Sequence, residues 1–409
     1  MVQRRNVQLL ILMPTLTVFR VRRQRHCFAA LLGALLFLAS AIAEAQGSFY
    51  STANLDLGTY ANGELIRSEA MAGAPDAATA YRILYRSEGL HGEPIAVSGV
   101  VIVPAERPTL TGRPIIAWAH PTTGLVPACA PSLARVFFES IQGLNEMLRQ
   151  GYVVAATDYP GLGTSGPHPY LVGLSEGRAV LDSVRAARSM TGSGSAFAVW
   201  GHSQGGHAAL YTGILAADYA PELKLVGVAV AAPATDLGAL LADDRGTTGG
   251  RNVTAMTLWS WSQIYRAPLA SVVTPQGMSA MAALAGECIE RYFDVIARRG
   301  PSKALARSFL KVENISVVEP WRSLLLTNSP GMPPVALPLF LAQGTEDTLV
   351  LPAVTQSYMQ KLCNAGNAVQ WHPVEGVGHL FVARDSASAA VAWIGARFAG
   401  APAPNDCRK

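Results

Sequence analysis

At 409 residues, half of them hydrophobic and only 15% charged, the chain is long enough to bury a large core and too apolar for extensive disorder. Its formal charge of +4 is misleading, because residues 1–45 hold six arginines and one acid, and subtracting that +5 leaves about −1 for the remainder. Charge therefore gives no support to a nucleic-acid partner.

In chain order, Arg22-Arg23-Gln24-Arg25 precedes the apolar stretch Cys27 to Ala43, and Ala43-Glu44-Ala45 has the A-x-A form of a signal-peptidase site. This predicts a leader over 1–45, cut after Ala45, and a secreted or periplasmic protein. An uncleaved N-terminal anchor is the competing reading, since the apolar stretch is nearly long enough to span a bilayer. Without the leader four cysteines remain, Cys129, Cys288, Cys363 and Cys407. An even set in an exported protein predicts two disulfides, with the pairing open among three connectivities. The alternative is four buried thiols. Asn252-Val253-Thr254 and Asn314-Ile315-Ser316 have the form of glycosylation acceptors, usable only in a eukaryotic source.

Beyond residue 46 the sequence alternates apolar runs with helical spacing. Strands are predicted at Ile95–Val103, Pro114–Ala119, Tyr152–Thr157, Ala196–Gly201, Leu225–Ala231, Leu337–Gln343 and Ala368–Pro373. Most are continuously apolar, as expected of a mostly parallel sheet flanked by helices on both faces. Helices are predicted over Ala134–Arg149 and Ser175–Met190, the second burying Val180, Leu181, Val184 and Ala187. The rhythm breaks from about Asp236 to Met332, where helical patches and turns predict an inserted, mostly helical cap or lid. This divides the chain into 46–235 and 333–409, two parts of one α/β core, around a cap at 236–332. The cap's Met256, Trp259, Trp261, Tyr265, Met278, Met281, Tyr292 and Phe293 are expected mostly to fill its own core, with a few lining an apolar pocket below it.

The run Ala196–Gly201 leads into Gly201-His202-Ser203-Gln204-Gly205, followed by the helical Gly206-His207-Ala208-Ala209-Leu210. Strand, sharp turn and helix around G-x-S-x-G form a nucleophile elbow, which presents the serine hydroxyl on a strained turn. A serine needs a base, an acid that orients the base, and an oxyanion hole. His379, in the glycine-rich Gly376-Val377-Gly378-His379 after the last predicted strand, is the base. Of the others, His91 and His168 lie in loops before the elbow, His202 within it, His207 on the helix beyond and His372 in a strand. Asp347, after Leu337–Gln343, is the acid, with Glu346 as its rival and Asp385 read instead as a helix cap. The order Ser203, Asp347, His379 is that of the α/β-hydrolase fold.

The first oxyanion donor is the N–H of Gln204, the residue after the nucleophile. The second comes from His120-Pro121-Thr122-Thr123-Gly124. Pro121 has no N–H, which leaves Thr122, with Thr123 next. His120 reads as a turn residue beside the elbow. A metal site from His120, His202 and His207 has no carboxylate or thiolate pattern behind it, and neither a metal nor a cofactor is expected.

His120-Pro121-Thr122-Thr123-Gly124, Cys129-Ala130-Pro131-Ser132, Asp158-Tyr159-Pro160-Gly161 and Gly201-His202-Ser203-Gln204-Gly205-Gly206 together resemble the secretory lipase family, over roughly Asp56 to Cys407. The resemblance implies an α/β-hydrolase fold with a helical lid, no cofactor, and hydrolysis of carboxylic esters with acyl chains. It places Ser203, Asp347 and His379 on the triad positions and pairs Cys129 with Cys288 and Cys363 with Cys407. Many relatives carry His-Gly-Thr-Thr-Gly where this chain has Pro121.

The expected partner is a small-molecule or lipid ester, with transient contact at a lipid interface. Two other functions fit less well: a peptidase or amidase using the same triad, and a catalytically silent binding or membrane-anchored interaction protein. The apolar cap and low charge favour esters over amides, and the intact set of nucleophile, acid and base argues against decay.

Overall fold

The computed structural model describes residues 49–105, 112–243, 246–290, 299–333 and 336–407. The leader read at 1–45 and its cut after Ala45 lie outside these, as do Tyr292 and Phe293.

Among the described residues nine strands form one sheet: β1 (Leu65–Met71), β2 (Ala78–Glu88), β3 (Pro94–Pro104), β4 (Ile115–Ala119), β5 (Val153–Thr157), β6 (Ala196–His202), β7 (Lys224–Ala231), β8 (Pro338–Gly344) and β9 (Ala368–Val374). The order is β1-β2-β3-β5-β4-β6-β7-β8-β9. β1, β2 and β3 form an antiparallel meander joined antiparallel to β5, and every pair from β5 to β9 is parallel.

Alternate residues of the central strands feed two cores. Ile116, Trp118, Ala198 and Trp200 pack on one face, and Ile115, Ala117, Phe197 and Val199 on the other. Both faces are covered, so β4 and β5 are buried along their whole length and read as unbroken apolar runs. Each large apolar side chain buried there contributes about 1.5–3 kcal/mol.

All seven predicted strands are present, within a residue or so at each end. β1 and β2 are additional. They carry Arg67, Glu69 and Arg82 between their apolar residues, and Arg82 pairs with Glu69 at 2.9 Å, so neither shows the continuous apolar signal of the centre.

The sheet is flanked by α1 (Phe137–Ser140), α2 (Leu144–Arg149), α3 (Gly173–Thr191), α4 (Gln204–Tyr219), α10 (Pro352–Asn364) and α11 (Val382–Phe398). α3 contains the predicted Ser175–Met190, with Val180, Leu181, Val184 and Ala187 fully buried. The single helix expected over Ala134–Arg149 is instead α1 and α2. The break runs from the extended Ile141 to Gly143, whose φ of 84° leaves the right-handed helix and where a Cβ would press on Val391 of α11.

Between β7 and β8 the described residues form α5 (Leu237–Asp243), α6 (Thr248–Ile264), α7 (Pro275–Ala285), α8 (Arg299–Arg307) and α9 (Trp321–Asn328). Thr247 and Thr274 cap α6 and α7 through their side-chain oxygens, and Pro275 opens α7. Trp261, Met281, Leu284, Leu305 and Trp321 are buried in the same core as Trp118 and Trp200, so the helical insertion continues one face of the sheet. Asn252 is buried there and accepts from the Ser302 hydroxyl at 3.0 Å. Of the two glycosylation sequons, this one is buried in the folded protein.

Candidate active site

Ser203 stands between β6 and α4 with φ 56° and ψ −117°, a conformation that β-carbon-bearing residues seldom adopt. The glycines around it are required. A Cβ on Gly201 would collide with the Gly205 carbonyl, and one on Gly205 would collide with the Ala119 carbonyl at the end of β4. The Ser203 N–H is tied to the Ala231 carbonyl at 3.0 Å, which fixes the turn to β7.

The loops after β8 and β9 bring the other two groups to the same edge of the sheet. His379 Nε2 lies 2.8 Å from Ser203 Oγ, and His379 Nδ1 lies 2.8 Å from Asp347 Oδ2. Asp347 is buried, and its Oδ1 accepts from the N–H groups of Leu349 and Val350, both at 2.9 Å. Burial opposes its ionisation, but His379 and those N–H donors outweigh burial and hold its carboxyl below the usual range. A carboxylate there accepts the Nδ1–H of His379, which leaves the Nε2 lone pair facing Ser203.

Two supports of this row carry no motif signal in the sequence. Gln343, at the end of β8, donates to Asp347 Oδ2 at 3.1 Å and to the Val350 carbonyl at 3.0 Å, and accepts from Thr355 at 2.7 Å. His202, inside the elbow, donates from Nε2 to the His379 carbonyl at 2.9 Å. Burial, with the neighbouring His379 ring, pushes His202 down to about 3, so it is a neutral donor. Glu346 is exposed, away from this row. Asp385 does not cap α11, as the cap position is Phe381; Asp385 lies in the first turn and pairs with Arg384 at 2.6 Å.

Thr122 and Thr123 line the cavity in front of Ser203. Among the described residues neither the Gln204 nor the Thr122 N–H has a hydrogen-bond acceptor. Gln204 N–H also belongs to the first turn of α4, where the helix dipole favours negative charge. His120 is buried behind this loop against the Tyr159 ring, with ring centroids 4.3 Å apart, and burial lowers it to about 4. The three histidines of the metal alternative have separate partners. His120 faces the Pro121 and Asp158 carbonyls, His202 the His379 carbonyl, and His207 Glu176 and the Asn328 carbonyl.

The cavity measures about 350 Å³ and is mainly apolar, with Trp118, Val253, Met256, Ile289, Leu349 and Phe381 around it. Of the cap residues named from sequence, Met256 reaches it, while Trp261 and Met281 are core. Cys129 is bonded to Cys288 and Cys363 to Cys407. The first bridge joins the loop after β4 to the segment after α7, beside an Ile289 N–H to Thr123 carbonyl hydrogen bond of 2.7 Å. The insertion is thus fastened to the loop that carries Thr122.

Comparison with known proteins agrees with this fold. The family model described as secretory lipase matches residues 139–406. Lipase 10 of Candida albicans is 27% identical over 422 residues, covering 92% of this chain and 87% of its own. A probable inactive lipase of Mycobacterium tuberculosis is 30% identical over 177 residues, and that match spans 40% of this chain and 39% of its length. The solved structure of Candida antarctica lipase A aligns with a TM-score of 0.75 at 20% identity, over 88% of this chain and 87% of that one. With a family match running over more than half of its length and through Ser203, Asp347 and His379, the chain belongs to the secretory lipase family, a family of carboxylic ester hydrolases.

Proposed function

We propose that the protein is an exported lipase or carboxylesterase that cleaves apolar carboxylic esters through a Ser203–His379–Asp347 triad. The observation that carries this reading is the continuous row from Asp347 Oδ2 through the His379 ring to Ser203 Oγ, both contacts 2.8 Å, opening into an apolar cavity. Ser203 Oγ attacks the ester carbonyl while His379 Nε2 takes its proton. The carbonyl oxygen becomes an oxyanion held by the N–H groups of Gln204 and Thr122. His379 then gives the proton to the departing alcohol, leaving an acyl group on Ser203. Water, deprotonated by His379, attacks that acyl group; the acyl–Oγ bond breaks, His379 returns the proton to Ser203 Oγ, and the acid leaves. Asp347 stays ionised throughout, fixing the imidazole tautomer and stabilising the imidazolium.

The two disulfides support an oxidising compartment after leader removal. The exposed Leu380 and Phe381 directly beyond His379 support transient contact with a lipid interface at the cavity mouth. A series of p-nitrophenyl esters from short to long chain, run beside emulsified triglyceride and matched anilides, tests the substrate class. Activity on esters and not on anilides is expected, and it disappears in Ser203→Ala. Full activity in Ser203→Ala, or anilide cleavage equal to ester cleavage, contradicts the proposal.

A further inference from the structure

Behind the elbow, away from the cavity, lies a second histidine–carboxylate cluster that the mechanism above does not use. Glu176, in the first turn of α3, is fully buried and pairs with no Lys or Arg among the described residues. A carboxyl so placed must be satisfied by hydrogen bonds, and its partners therefore define its work. Glu176 Oε1 accepts from the Leu171 N–H at 3.0 Å and from Gln204 Nε2 at 2.8 Å, and Oε2 faces His207 Nδ1 at 2.9 Å.

We infer that Glu176 is a positioning residue that sets both donors of the oxyanion hole, an inference that rests on the triad reading above. One arm runs through Gln204. Its side-chain amide has two N–H groups, one donating to Glu176 and the other directed at His168 Nε2, 3.0 Å away. His168 is an acceptor at Nε2 because its Nδ1–H is committed to the Pro160 carbonyl at 2.8 Å. Clamped from two sides, the side chain fixes the residue whose backbone N–H meets the oxyanion.

The other arm runs through Leu171, which holds φ 53° despite its side chain. Glu176 secures its N–H, and the preceding Tyr170 donates or accepts at Thr122 Oγ1 over 2.9 Å. The same turn is braced by Ser260, which accepts from the Tyr170 N–H at 3.0 Å, and by Trp261 Nε1, which donates to the Tyr170 carbonyl at 3.0 Å. Thr122 and Gln204 come from loops after different strands, and Glu176 is the group to which both are tied.

A purely structural Glu176 would change stability without changing the enzyme's preference for a tetrahedral oxyanion. The test therefore compares kcat and KM for p-nitrophenyl butyrate with the inhibition constant of butylboronic acid, whose tetrahedral adduct on Ser203 places an oxygen in the hole. For Glu176→Gln, kcat is expected to fall about 10- to 100-fold with KM within about twofold, and boronate binding to weaken by the same factor. Gln204→Ala should match it, and the double variant should lose little more than either alone.

Tyr170→Phe removes only the hydroxyl at Thr122. It should cost several-fold in kcat with an unchanged melting temperature, and it carries the test alongside Gln204→Ala if Glu176→Gln does not fold. Wild-type kcat and boronate affinity in Tyr170→Phe and Gln204→Ala would overturn the inference. A wild-type enzyme that takes no fluorophosphonate on Ser203 would overturn the triad reading, and this inference with it.

Discussion

Two buried histidine–carboxylate pairs flank the elbow, and they differ in what the second ring nitrogen meets. In His379–Asp347 the free nitrogen faces a serine hydroxyl at the edge of a cavity. In His207–Glu176 it meets the Asn328 carbonyl at the end of α9, 2.8 Å away, beside the Thr327 carbonyl that accepts from Tyr211 at 2.9 Å. There His207 satisfies the final carbonyl of α9, while Glu176 also holds Leu171 and Gln204. The pairs thus share residue types and burial while differing in what the second ring nitrogen faces. A histidine and a carboxylate in contact identify a proton-transfer site only when the remaining nitrogen has a nucleophile and an open space before it.

Removing the rings one at a time breaks the comparison most sharply. His379→Ala is expected to lower kcat about 10⁶-fold with little change in melting temperature, read from ester hydrolysis and circular dichroism. Asp347→Asn, which keeps the shape but releases the tautomer, should cost about 10⁴-fold in kcat. His207→Ala should do the reverse. It removes one of three partners of the buried Glu176 carboxyl and leaves the Asn328 carbonyl without its donor, so urea unfolding should show a loss of about 1–3 kcal/mol. In that variant Ser203 should still react with a fluorophosphonate, and loss of labelling in folded protein would erase the distinction between the pairs.

The smallest effect concerns His120 and His202. Burial holds them at about 4 and about 3, below the ordinary 6.5 of histidine, so they stay neutral when folded and take up protons on unfolding in acid. Their stabilisation is complete above pH 6.5 and is lost as pH falls toward those values, by up to about 1.4 kcal/mol per pH unit for each. Urea midpoints measured from pH 7 to pH 5 should therefore fall less steeply in His120→Asn or His202→Asn than in wild type.

The same contrast explains how much could be read from the sequence. Ser203, Asp347 and His379 stand just past the ends of β6, β8 and β9; β6 and β8 are buried almost throughout and the edge strand β9 only in part, so apolar runs disclosed the first two, and the glycines around the elbow and before His379 disclosed the rest. The Glu176 cluster left no such trace. Its partners lie on α3, on α4, in the turn around Leu171 and at the end of α9, and only packing brings them together. β1 and β2 were hidden for a related reason, since charged residues interrupt their apolar positions. The break at Ile141 to Gly143 is a local change of backbone conformation, which helical periodicity over Ala134–Arg149 does not encode. Asn252 and Asp385 followed local patterns that burial and an ion pair with Arg384 override.

The central claim is that Ser203, activated by His379 and Asp347, is the nucleophile for ester hydrolysis. Titration with a fluorophosphonate, followed by mass mapping of the modified peptide, tests it most directly. The account predicts one equivalent bound on Ser203, with ester hydrolysis lost in proportion, and no reaction in His379→Ala at the same concentration. Modification at another residue, or hydrolysis that persists after Ser203 is fully occupied, would contradict it.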